Sequence, residues 1–265
     1  MREKCLDGRG IVIVGGTTGL GLSAARACVS AGAHVVIVGR SPDSAKAACD
    51  ALGDSVASFV ADATHPDTVQ EAIVMARSVF GRFDGLYHVA GGSGRSVGDG
   101  PLHEITDVGW DATVDLNLKS LFLSNRAAVR GFLDQGGGGT ILNMSSVLAK
   151  YPSPRYFATH AYAAAKSAVF GLTRSAASYY ATEGIRFNVI CPGLVETPMS
   201  RRASGDDEIV RFIRTKQPLE GGRVGLATDL DEAVLFFLSD ASRYVTGQIL
   251  AVDGGWSVNE GQIDG

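Results

Sequence analysis

Short apolar runs alternate with longer stretches of helical period along nearly the whole chain. Residues 11–14, 35–38, 56–60, 86–89, 140–144, 186–190 and 248–252 are brief and rich in β-branched side chains, and glycine or polar positions bound them. Runs of that kind, with no polar alternation, read as strands buried on both faces. Between them, apolar residues at helical spacing predict helices over 19–31, 42–52, 66–80, 107–133, 160–182 and 228–238. Pro66 suits a first helical turn, with Thr64 as the expected cap. Strands alternating with helices of this length imply parallel pairing through right-handed crossovers. No linker, repeat or charge block interrupts the rhythm. The expected fold is therefore α/β: one doubly wound domain over residues 1–265, a central parallel sheet flanked by helices. Two polar, glycine-bearing segments escape the pattern, 91–101 and 193–218. Both follow strand ends, where open parallel sheets bind ligands, and the longer one is a candidate mobile lid.

Composition narrows the choice. The 265 residues are 45% hydrophobic and 20% charged, enough to bury a core without staples. With 24 basic against 28 acidic side chains, the net charge of -4 offers no basic surface for a phosphate backbone, so no nucleic-acid partner is expected. Cys5, Cys28, Cys49 and Cys191 lie far apart with no metal-ligand spacing, which reads as reduced thiols and no metal. The N-terminus shows no signal-peptide core, and no long apolar stretch would cross a bilayer. A cytoplasmic protein with a small-molecule ligand is expected, with no membrane partner.

Four features carry candidate chemistry. The first strand runs into Gly15-Gly16-Thr17-Thr18-Gly19-Leu20-Gly21 and then a helix. Glycines there let the backbone approach a pyrophosphate, which the helix N-terminus favours, and Gly21 lets helix and strand pack closely. Tyr162 and Lys166 stand four apart on a predicted helix, so they share a face. A phenol with an ordinary pKa of about 10 is a poor acid–base group at neutral pH unless a neighbouring ammonium stabilises its phenolate. Asn143-Met144-Ser145-Ser146 ends the fifth strand, where a serine hydroxyl can donate to a carbonyl oxygen as charge develops on it. Asn117 lies mid-helix, where a buried amide can redirect backbone hydrogen bonds. The first three have plainer structural readings: a strand-to-helix turn, a tyrosine along a lysine stem, a cap or turn serine.

Taken in order, G-x-x-x-G-x-G, Ala90-Gly91, Asn117, Ser146, Tyr162-x-x-x-Lys166, Pro192-Gly193 and Asp253-Gly254-Gly255-Trp256 resemble the short-chain dehydrogenase/reductase family. The resemblance implies a Rossmann-type sheet of about seven strands, a nicotinamide cofactor and a homotetramer or homodimer. It implies that Tyr162 is the general acid or base, that Lys166 lowers its pKa and holds the nicotinamide ribose, and that Ser146 orients the substrate oxygen. Asn117 would fix a water in a proton relay to Lys166. Gly15, Thr17, Thr18, Gly19, Leu20 and Gly21 would form the phosphate turn. Asp62 would contact adenine, Ala90 and Gly91 would lie beside the adenine ribose, and Pro192, Gly193, Val195 and Thr197 would line the nicotinamide. Val14 and His88 depart from the family's usual threonine and asparagine, and 152–157 reads as an insertion beside the substrate. His88 is expected to be structural, and Ser145 to pack or cap.

The second strand is followed by Gly39-Arg40-Ser41. An acidic residue there would take the ribose hydroxyls of NAD, whereas arginine suits the 2′-phosphate of NADP. Arg40, with Thr17 and Ser41, therefore favours NADP(H) over NAD(H). Phe157, Tyr156, Leu194, Met199 and Phe212 suggest a partly apolar substrate pocket. The expected activity is hydride exchange between this cofactor and a secondary alcohol or ketone. The rivals are a catalytically silent dinucleotide-binding sensor or scaffold, and a nucleotide-sugar epimerase, which would want a further substrate domain.

Overall fold

The structure, a computed structural model, describes residues 4–262. Seven strands form one sheet: β1 (Gly10–Val14), β2 (His34–Gly39), β3 (Val56–Val60), β4 (Gly85–His88), β5 (Gly139–Met144), β6 (Ile185–Pro192) and β7 (Ile249–Val252). Their order is β3-β2-β1-β4-β5-β6-β7, and every pairing is parallel. The helices are α1 (Gly19–Ser30), α2 (Pro42–Leu52), α3 (Thr68–Phe80), α4 (Asp107–Val114), α5 (Ser120–Asp134), α6 (His160–Tyr180), α7 (Arg201–Ser204), α8 (Asp207–Lys216) and α9 (Asp231–Leu238).

Successive strand residues point to opposite faces, so each strand feeds two cores. Ile11, Ile13, Val35, Ile37, Leu142 and Ile190 pack with α1 and α9 on one side. Val12, Val14, Val36, Val38, Ile141 and Phe187 pack with α3 and α5 on the other. That is why the strands are continuous apolar runs rather than alternating ones. A third cluster, built on Trp256, Phe212, Ile209 and Val147, lies away from the sheet among α7, α8 and the 152–157 insertion.

Three expectations change. The third helix begins at Thr68, after Pro66, and Thr64 does not cap it. Thr64 instead gives its amide and its hydroxyl to Asp62 Oδ1, each at 2.8 Å, and a nearby carboxylate outcompetes a helix end as partner. The stretch 107–133 is interrupted by a π turn at Asp115–Lys119, centred on buried Asn117. The segment 193–218 is not an open loop. It holds α7 and the amphipathic α8, whose Ile209, Phe212 and Ile213 are buried and whose N-terminus is capped by Asp206 Oδ1.

Candidate active site

The glycine-rich turn sits where β1 hands over to α1, between β2 and β4, at the point where the strand order reverses. Gly21 is buried against that turn: a Cβ on it would collide with the Gly15 carbonyl. It therefore serves helix–strand packing and does not line the cleft, unlike Gly15, Thr17, Thr18, Gly19 and Leu20. The cleft measures about 460 Å³ and is also lined by Arg40, Ser41, Asp62, Ala90, Gly91 and Lys166. Thr18, at the N-cap of α1, makes no side-chain cap, and the first turn carries no acidic residue. The free amides and partial positive charge at that end fit a pyrophosphate.

At the adenosine end, a Cβ at position 39 would run into the Thr17 side chain, so no acidic residue fits there without moving Thr17. Arg40 is exposed on the cleft wall. Ser41 Oγ accepts from the Ser44 amide at 3.2 Å and so caps α2. The Asp62 carboxyl is held below the usual carboxylate range, first by the Thr64 amide and more weakly by Arg40.

The other end is set by α6. Asp99 accepts from the amides of Ala161 and Tyr162, both at 3.0 Å, which pins the helix N-terminus to the 91–101 segment. Ser145 Oγ donates to the Lys166 carbonyl at 2.7 Å, and Ser167 Oγ to the Ala149 carbonyl at 2.6 Å. Ser145 is thus a packing residue, as expected. These ties place Tyr162 beside Ser146, whose hydroxyl pulls its pKa down. Burial is the larger effect and pushes Tyr162 up to about 12. The expected lowering by Lys166 is therefore not what dominates in the protein alone. Lys166 is itself pulled down to about 8 by burial. Its Nζ lies 5.7 Å from the Tyr162 ring centroid and donates to the Met144 carbonyl at 3.1 Å. An ammonium has three donors, so the others are available to the cleft that Lys166 lines.

Asn117 is fully buried. Its Nδ2 donates to the carbonyls of Gly92 and Thr113, both at 2.9 Å, and its Oδ1 accepts from the Gly92 amide at 3.1 Å. The amide therefore clamps the backbone beside Gly91, and a Cβ on Gly91 would lie 2.7 Å from Asn117 Oδ1 and 3.2 Å from Lys166 Nζ. His88 is fully buried between Ser124 and Ser120, with Nδ1 2.9 Å from Ser124 Oγ. Burial pulls it down to about 3, so it stays neutral.

A second pocket of about 170 Å³ adjoins the first through Leu20, Thr197 and Met199. Ser146 and Tyr162 line it, with Pro192, Gly193 and Val195. Phe157, Leu194 and Met199 supply apolar wall as expected, while Tyr156 and Phe212 stand behind them against each other and Trp256. Sequence reasoning missed Trp256, Arg95 and Arg202 as lining residues and Asp99 as the anchor of α6. A signal existed for Arg95: the one basic residue within a glycine-rich segment after a strand.

A family described as enoyl-(acyl carrier protein) reductase matches residues 14–257. The chain is 37% identical over 252 residues to 2-(S)-hydroxypropyl-CoM dehydrogenase 3 of Xanthobacter autotrophicus, covering 92% of this chain and 95% of that one. It is 34% identical over 252 residues to 2-dehydro-3-deoxy-D-gluconate 5-dehydrogenase of Escherichia coli, covering 95% and 96%. A solved short-chain type dehydrogenase/reductase from Mycobacterium ulcerans superposes with a TM-score of 0.88 at 33% identity, over 97% of this chain and 92% of that one.

Proposed function

Because the chain belongs to the short-chain dehydrogenases/reductases, NAD(P)-dependent enzymes acting on CH–OH groups, we propose that it interconverts a ketone and a secondary alcohol with Tyr162 exchanging the proton. The observation that carries this reading is Tyr162 standing beside Ser146 in the smaller pocket, with Lys166 Nζ 5.7 Å from its ring and lining the adjoining cleft. The glycine turn and α1 would hold the pyrophosphate, Lys166 the nicotinamide ribose, and Pro192, Gly193, Val195 and Thr197 the nicotinamide end. Asp62, Ala90 and Gly91 belong to the adenosine side. The bound cofactor supplies or accepts the hydride.

Ser146 donates to the substrate oxygen and positions it against the Tyr162 hydroxyl, stabilising charge as it develops there. With its pKa pushed up, Tyr162 is a neutral phenol at pH 7, the form that gives a proton to a ketone oxygen. Alcohol oxidation needs the deprotonated form, so its rate rises with pH. Lys166 works beside the ring as a cation held in a dry site. Asn117 acts through Gly92, keeping the backbone beside Lys166 in place. One domain over the whole chain, a cytoplasmic location and a homodimer or homotetramer belong to the same reading. Four free cysteines support the location, and exposed Val108, Trp110 and Phe122 on α4 and α5 support assembly.

Arg40 supports NADP(H) over NAD(H), because the space an acidic side chain would need at 39 is taken by Thr17. The test is a panel of ketones, alcohols and enoyl thioesters assayed with both cofactors, in the wild type and in Arg40→Ala. Ketone or alcohol turnover with an NADP preference that falls about tenfold or more in Arg40→Ala is expected, the worth of one charge-assisted bond. Turnover of enoyl thioesters alone, or cofactor binding with no turnover at all, would contradict the activity. A wild-type preference for NAD, or an unmoved ratio, would contradict the role of Arg40.

A further inference from the structure

The pocket beside Tyr162 has a largely apolar wall, yet Arg95 and Arg202 line it too. They arrive on different segments, Arg95 on a short turn after β4 and Arg202 on α7. Each sends one Nη2 hydrogen bond, 3.3 Å long, to the same acceptor, the Tyr156 carbonyl. Two like charges converging on one neutral oxygen repel each other. The Arg95 pKa is lowered, first by burial and then by Arg202.

Asp99 offsets this only in part, as the weakest of the three influences on Arg95. Among the described residues neither guanidinium forms an ion pair. The acids nearby are engaged elsewhere: Asp99 gives both oxygens to the amides of α6. Glu208 holds Arg155 at 2.6 Å and the Tyr156 hydroxyl at 3.0 Å.

The backbone that carries the pair is itself anchored. Gly94 and Gly98 flank the Arg95 turn at φ of 71° and 104°, and Ser200 Oγ ties the start of α7 to the Val195 carbonyl at 2.6 Å. Planar guanidinium forks match carboxylate, sulfonate and phosphate oxygens, and a charged acceptor makes roughly twice as strong a bond as a neutral one. We propose that the substrate carries an oxyanion group that binds between Arg95 and Arg202 and holds the reacting carbon toward Tyr162 and Ser146. This rests on the Tyr162 reading above. The pocket measures about 170 Å³, below the roughly 300–1,000 Å³ of sites for drug-sized ligands, so small keto and hydroxy acids are the probes of choice.

The probes are acetoacetate and levulinate against their methyl esters, with acetonyl sulfonate and dihydroxyacetone phosphate as the sulfonate and phosphate arms. Each is titrated into the NADP⁺-loaded enzyme, followed by fluorescence of Trp256 in the pocket wall, and assayed for kcat/KM with NADPH. The wild type should bind at least one anion saturably and prefer it to the neutral partner. In the Arg95→Gln/Arg202→Gln double variant the anion-to-neutral ratio should fall about ten- to hundredfold. Esters handled as well as acids, a ratio that does not move, or no anion that saturates the wild type would each overturn the proposal. An anion that binds wild type and Tyr162→Phe alike but is never turned over leaves the anion site standing and removes the catalytic reading. Ester turnover without anion preference does the reverse.

Discussion

Burial sets the protonation of the polar side chains at the centre of this molecule. Lys166 and Tyr162 are both shifted toward their neutral forms, and the hydroxyl of Ser146 is the group that works against this for the tyrosine. His88 shows the same physics at a buried position that lines neither pocket. Its ordinary pKa of about 6.5 falls to about 3 in the folded protein. The unfolded chain then binds more protons below pH 6.5, so the stabilisation is complete above that value and is lost as pH falls toward 3. Integrated from pH 7 to 5, this costs about 2 kcal/mol. Urea unfolding of wild type and His88→Asn at both pH values should show the wild type losing that much more, and parallel losses would contradict it. Tyr162, Lys166, Ser146 and Asn117 could be singled out from the sequence as candidates because each falls in a motif that carries the family resemblance. The sequence does not give the direction of the tyrosine's shift, which depends on how many apolar atoms surround the hydroxyl. Arg95 and Arg202 were hidden for a related reason: only folding brings residues so far apart in the chain to one carbonyl.

At the scale of elements, α1 is held by close packing on the glycine-rich turn and α6 by short hydrogen bonds to Asp99, Ser145 and the Ala149 carbonyl. The contact between β1 and α1 depends on Gly21, where any Cβ meets the Gly15 carbonyl. Gly21→Ala should cost about 1–3 kcal/mol by overpacking and, in the proposed reading, weaken dinucleotide binding, since the displaced backbone is the turn that would hold the pyrophosphate. Urea midpoints and cofactor titration check both, and a variant within about 0.5 kcal/mol of wild type would contradict the close contact. The seven strands were legible because parallel strands covered on both faces are unbroken apolar runs. The π turn was legible only as an unfavourable asparagine in a helix. Helices α7 and α8 were not, because α8 has a polar outer face and buries its apolar one against Trp256, which lies far along the chain. The start of α3 was misread because Asp62 holds Thr64.

For the molecule as a whole, the candidate site residues gather around the carboxyl ends of the strands. The larger cleft lies over the β1–β4 reversal, and the smaller one extends past Tyr162 toward Trp256. Leu20, Thr197 and Met199 border both, and in the proposed reading a dinucleotide in one and a small ketone in the other would meet beside the Tyr162 hydroxyl. The central claim is that this hydroxyl exchanges the proton. The most direct measurement is kcat for ketone reduction by Tyr162→Phe, with the dissociation constant of the cofactor determined on the same preparation. Loss of the hydroxyl alone should lower kcat about 10²–10⁴-fold and leave cofactor affinity nearly unchanged. A folded Tyr162→Phe enzyme that binds cofactor and turns over near the wild-type rate would contradict it.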